Sequence, residues 1–101
     1  MLVTHTLEEA AKHASDENYI SERTKQHVKW AANTAFSDIY YDFMAGSEAL
    51  GEKAHPEDAL EPVIWNMMDN ADEDVLHAIN IKNPNRQIAI DIIREEIKKF
   101  F

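Results

Sequence analysis

The chain has no cysteine, two glycines and three prolines among its 101 residues. Without cysteine there is no disulfide framework, no thiolate nucleophile and no cysteine-based zinc site, and nothing argues for an oxidising compartment. With glycine only at 46 and 51, there is neither a phosphate-cradling loop nor a dinucleotide fingerprint. Ser15, Ser21, Ser37 and Ser47 lie in no nucleophile elbow. No apolar run approaches the ~20 residues that span a bilayer, and the N-terminus has neither a basic n-region nor an apolar h-region. The expectation is a cytoplasmic protein with no membrane partner and no cofactor. At this length one hydrophobic core is affordable, so residues 1–101 read as a single domain.

What the sequence has instead is helical periodicity. From His27 to Gly46 the apolar residues Val28, Ala31, Ala32, Ala35, Phe36, Ile39, Tyr40 and Phe43 recur at three- and four-residue steps, which puts them on one helix face. The three alanines let a neighbouring helix approach closely. Phe36, Ile39 and Phe43 supply area, each worth about 1.5–3 kcal/mol if fully buried. Trp30 and Tyr41 fall off this stripe and are expected at the surface, where aromatics beside carboxylates suit a protein interface. Ser21, with Ile20 before it, reads as the N-cap, and Gly46 as the residue that ends the helix.

The rest of the chain reads as cover for this helix. Thr6 and Glu9 form a capping box ahead of a first helix over about residues 7–16. Residues 47–56 read as a loop, with Pro56 opening a short helical turn to Leu60 and Pro62 fitting the first turn of a further helix. That helix, with Ile64, Met68, Ala71, Val75 and Ile79 in step, runs to about residue 79 and breaks at Asn70. Asn83-Pro84 marks a cap and a restart, and Arg86 to Phe101 reads as the last helix, with Lys98 and Lys99 in its final turn. The alternation in Ala78–Lys82 and Gln87–Ile92 also matches a β-hairpin; the strongly helical run Arg94–Lys99 favours the helix. The expected fold is therefore all-α, a small single-domain bundle of about four to five helices around a long central helix spanning about 21–45.

Charge is distributed unevenly. Between Trp30 and Ile81 there are eleven acidic residues and a single cation, Lys53, whereas residues 82–101 carry five bases and three acids. Such a field repels nucleic acid and anionic membrane and attracts basic surfaces, although acidic solvated faces also simply keep proteins soluble. Asp38 and Asp42 lie about 6 Å apart along one helix face, a like-charge pair that costs the helix a few tenths of a kcal/mol. Asp69, Asp72, Glu73 and Asp74 form a second acidic row, with Glu57, Asp58 and Glu61 between. Phosphates recur about every 3.4 Å along each DNA strand, so spaced carboxylates offer a DNA-binding site a similar row of anions.

Metal chemistry has weaker support. Glu9/His13 and Glu73/His77 are i,i+4 pairs, and Asp74-x-x-His77 has the carboxylate-x-x-histidine step of helical di-iron sites. The plain reading is a Glu–His contact on a solvated face. Asp72-Glu73-Asp74 opens like a calcium loop but lacks its glycine and its terminal glutamate. His5, His27 and His55 read as isolated surface or capping residues.

Ala31-Ala32-x-x-Ala35, Tyr40-Tyr41-Asp42-Phe43-Met44, the proline-led acidic start Pro56-Glu57-Asp58 and the amphipathic helix from Val63 together resemble the Ocr antirestriction proteins of T7-type phages. That family is all-helical, acidic and dimeric. It mimics the charge and shape of duplex DNA and occupies the DNA-binding groove of type I restriction-modification enzymes. The resemblance covers about residues 27–80. The C-terminus departs from it, ending in Arg94, Lys98 and Lys99 where that family carries an acidic tail, so a local acidic patch gripping one basic site is the version expected here. The resemblance implies a non-enzymatic inhibitor, in the host cytoplasm if phage-encoded, that binds a host protein's basic DNA-binding groove and no nucleic acid itself. Asp38, Asp42, Glu57, Asp58, Glu61, Asp69, Asp72, Glu73 and Asp74 are the charges, and homodimerisation through Trp65 and the last helix is left open. The alternative is an immunity protein or antitoxin that neutralises a basic nuclease toxin.

Overall fold

The computed structural model describes residues 20–101; the helix expected over residues 7–16, with Thr6, Glu9 and His13, lies outside them. Four α-helices and one short 3₁₀ helix make up the described residues, with no strand among them. The chain is all-α, as its periodicity requires. The hairpin alternative fails in the segment from Asn80 to Asn85, where side-chain amides build turns. Asn80 Oδ1 accepts from the Lys82 N–H at 2.8 Å and Asn83 Oδ1 from the Asn85 N–H at 2.8 Å. These Asx-type bonds hold the backbone in tight turns instead of a ladder. Asn83, 5 % exposed, also donates from Nδ2 to the His77 carbonyl at 3.1 Å, closing the end of the preceding helix.

Helix α1 (Glu22–Ala49) is the central element, 28 residues and so about 42 Å long. Ser21 caps it as expected, its Oγ accepting from the Thr24 N–H at 3.1 Å. Its end lies past the expected one. Gly46 is an ordinary helical residue, and the chain turns at Gly51, whose φ of +68° is the left-handed conformation glycine adopts without penalty. Gly51 N–H bonds the Glu48 carbonyl at 3.0 Å and Glu52 N–H the Ser47 carbonyl at 3.0 Å, the paired bonds of a Schellman motif.

The 3₁₀ helix (Pro56–Ala59) leads directly into α2 (Leu60–Asn70), which ends where Asn70 Nδ2 turns back to the Asn66 carbonyl at 3.0 Å. Ala71 and Asp72 are extended, and α3 (Glu73–Ile79) follows, so the break falls at the predicted place. Helix α4 (Arg86–Lys98) closes the bundle. It stops three residues before the expected end, because Phe100 and Phe101 N–H groups bond the Ile97 and Lys98 carbonyls in tight turns. That tightening lays both rings on Phe36, at 4.8 and 5.9 Å between centroids.

The core is one cluster. Val28, Ala32, Ala35 and Phe36 of α1 meet Val63 and Met67 of α2, Val75 and Ala78 of α3, and Ala89, Ile90, Ile93 and Ile97 of α4. Ile39 and Phe43 are half-buried at its edge, while Trp30 and Tyr41 are exposed as expected. The buried Glu96 carboxylate is met by Lys99 Nζ at 2.6 Å. No described helix is long and apolar enough to cross a membrane.

Candidate functional site

Helix α1 crosses α3 near its own start, and the sequence brings four polar side chains to that crossing. Ser21 Oγ donates to Thr24 Oγ1, which donates to Asp74 Oδ2 at 3.1 Å; the same oxygen lies 2.6 Å from His27 Nδ1. Asp74 Oδ1 accepts from the Val75 N–H at 2.9 Å. Partial burial pushes the Asp74 carboxyl up. The hydrogen bonds from His27 and Thr24, the attraction of the His27 ring and the Val75 N–H outweigh this and hold it below its ordinary value of 3.8. His27, which reads in the sequence as an isolated surface histidine, is therefore a tertiary contact.

Beside this network the surface sinks into a recess of about 230 Å³, walled by His27, Trp30, Thr34 and Asp38 of α1, by Asn66 and Asn70 of α2 and by Asp72 at the α2–α3 break. The four α1 residues recur at three- and four-residue steps, a second stripe beside the apolar one, so this wall was legible in the sequence. Trp30 lies with its ring 5.8 Å from the His27 ring and tilted by 37°. Ala31, Ala35, Met67 and Val75 line the bottom. Exposed carboxylates, two amides and an accessible indole suit a guanidinium or ammonium group, which carboxylates pair and indoles attract through the ring face. One ligand atom each from His27, Asp72 and Asp74 also lie within 4.8 Å of one another, so these are the described residues that could hold a metal ion.

The nine carboxylates expected at the site fall into distinct settings. Asp38 and Asp72, 34 positions apart in sequence, share the recess. Asp42 is exposed one turn further along α1, and Asp69 and Glu73 are exposed on either side of the α2–α3 break. Asp74 is committed to His27 and Thr24. Glu57, Asp58 and Glu61 lie at the opposite end of α2, about 16 Å away by the helical rise. Of these three, Glu57 is held by Arg94 Nε at 3.0 Å and Glu61 accepts from the Trp65 indole at 3.4 Å.

The cations are largely spent on their own neighbourhood. Lys25 pairs with Glu22, Arg94 with Glu57 and Asp91, Lys98 with Glu95 and Lys99 with Glu96. Among the described residues, no lysine or arginine lies within ion-pair distance of Asp38, Asp42, Asp58, Glu61, Asp69, Asp72 or Glu73. The described residues thus form a small all-α domain in which Asp38, Asp42, Asp69, Asp72 and Glu73 are exposed with no described lysine or arginine within ion-pair distance. Comparison with known protein families, with curated proteins and with solved structures returns no match.

Proposed function

We propose that this chain is a non-enzymatic binding protein that presents DNA-like negative charge to the basic groove of a DNA-handling enzyme, of the restriction-modification kind, and inhibits it by competing with DNA. The observation that carries the reading is the division of charge. Arg94, Lys98 and Lys99 are paired internally, while Asp38 and Asp42 of α1 and Asp69, Asp72 and Glu73 around the α2–α3 break are exposed with no lysine or arginine within ion-pair distance among the described residues. Exposed ion pairs cost little to break, and unpaired exposed carboxylates cost stability through mutual repulsion. Such a surface is favoured where a basic partner supplies the missing charge. On this reading Asp38 and Asp72 take one arginine or lysine of the partner in the recess against Trp30, and Asp42, Asp69 and Glu73 extend the field that steers the encounter.

Inhibition tests it. The purified protein is titrated into DNA cleavage by a type I restriction enzyme, with duplex concentration and salt varied. Inhibition that excess duplex relieves and that weakens steeply with salt supports the reading. Inhibition indifferent to duplex, or none across a panel of restriction enzymes and nucleases, removes it.

A further inference from the structure

Away from the acidic recess, three large apolar side chains on one side of the described residues are exposed: Trp65 at 62 %, Met68 at 54 % and Ile81 at 85 %. With Leu60, Ile64 and Leu76 they line one groove of about 770 Å³ between α2, α3 and the following turn. From Leu60 to Met68 the groove follows α2 for about 12 Å, a little over two helical turns. Trp65 is held along its own helix by the indole bond to Glu61, so this exposed ring is pre-oriented. A groove of this length and lining matches the helix-in-groove mode, in which a partner helix inserts anchors at i, i+3 or i+4, and i+7.

The charge around the groove selects the occupant. Glu61 lines it, Asp69 stands one turn beyond Trp65 on α2, and Glu73 one turn before Leu76 on α3. The one cation among the described lining residues, Arg86, is turned inward, its Nε donating to the Ile79 carbonyl at 2.8 Å. A second copy docked groove to groove would bring the same acidic rim against this one, and each chain carries a net charge of −9. We infer that the groove seats an amphipathic helix of another protein whose apolar face carries the anchors and whose flanks carry lysine or arginine. This goes beyond the electrostatic reading of the recess, and either can fail without the other.

The test uses the full chain carrying Trp30→Phe, which leaves Trp65 as the sole indole. Two synthetic helical peptides of about 14 residues, about four turns, share the same leucine anchors; one is flanked by lysines and the other by glutamates. The expected result is saturable binding of the lysine-flanked peptide with a blue shift of Trp65 emission. Affinity should fall about tenfold or more in Met68→Lys/Ile81→Lys, which alters only exposed side chains, and the preference should reverse in Glu61→Lys/Glu73→Lys. Binding of neither peptide overturns the proposal, as does equal binding of both. A dimer in sedimentation that Met68→Lys/Ile81→Lys disperses would give the groove to a second copy, and cross-links from residues 1–19 into it would give it to the chain's own N-terminal segment; either result also overturns the proposal.

Discussion

His27 and Asp74, 47 residues apart in the chain, meet at 2.6 Å where α1 crosses α3. Asp74 accepts from His27, Thr24 and the Val75 backbone at once, so Asp74→Ala leaves three donors without their acceptor. The site is half open, and water can replace part of what is lost. The expected cost is about 1–2 kcal/mol, seen as a fall in Tm of about 4–8 °C per kcal/mol for a domain of this size.

The same contact sets a pH dependence. The folded Asp74 carboxyl sits below the ordinary 3.8, so its contribution is fully present above that value and is lost as pH falls through the lower folded one. Urea denaturation at about pH 6 should separate the native chain from Asp74→Asn, and the gap should close as the pH is taken below 3.8. A gap that persists unchanged into acid would deny the carboxylate its role.

Glycine substitutions should have opposite effects. A Cβ at Gly46 meets nothing within 4 Å and lies inside α1, so Gly46→Ala should stabilise by about 0.5–1 kcal/mol. Gly51→Ala puts a side chain at φ +68° and should destabilise by about 1 kcal/mol. Thermal melts of the two variants check the pair. The reverse order would restore Gly46 as the helix end.

This pair also marks how far the sequence could be read. Both glycines follow a periodic apolar run, and local pattern does not tell a tolerated helical glycine from a terminating one. What decides is whether Ser47 and Glu48 carbonyls find the N–H groups of Gly51 and Glu52, a property of the folded turn. The long period of α1 was legible because spacing alone determines which face is apolar, and the restart after Pro84 because Asn83-Pro84 interrupts a helix. The recess was half legible. Its α1 wall follows from helical spacing, whereas the approach of Asp72 to Asp38, and of Asp74 to His27, depends on how α3 turns back from α2. No local signal encodes that, and so His27 reads as solitary.

Phe36 should be the most sensitive core position. It is fully buried and touches the rings of Tyr40, Phe43, Phe100 and Phe101. Phe36→Ala should cost about 3–5 kcal/mol, enough to unfold a domain of marginal stability. Circular dichroism under mild denaturant reads this directly; a near-native melt would mean that the aromatic cluster collapses into the cavity.

Asp38→Asn with Asp42→Asn removes a like-charge pair from an exposed helix face. The fold should stay intact or gain a few tenths of a kcal/mol, while association with a basic partner weakens and loses part of its salt dependence. Stability and binding must be measured on the same preparation, because only their opposite response separates a binding role from a structural one.

The most direct measurement is a pull-down from bacterial lysate with the tagged chain, run with and without excess duplex DNA, with Asp38→Asn/Asp42→Asn alongside, and read by mass spectrometry. The expected result is retention of a restriction, nuclease or other DNA-handling protein that duplex displaces and that the double variant holds less well. A partner indifferent to DNA, or no capture at all, would contradict competition with nucleic acid and leave the acidic centre as solvated surface.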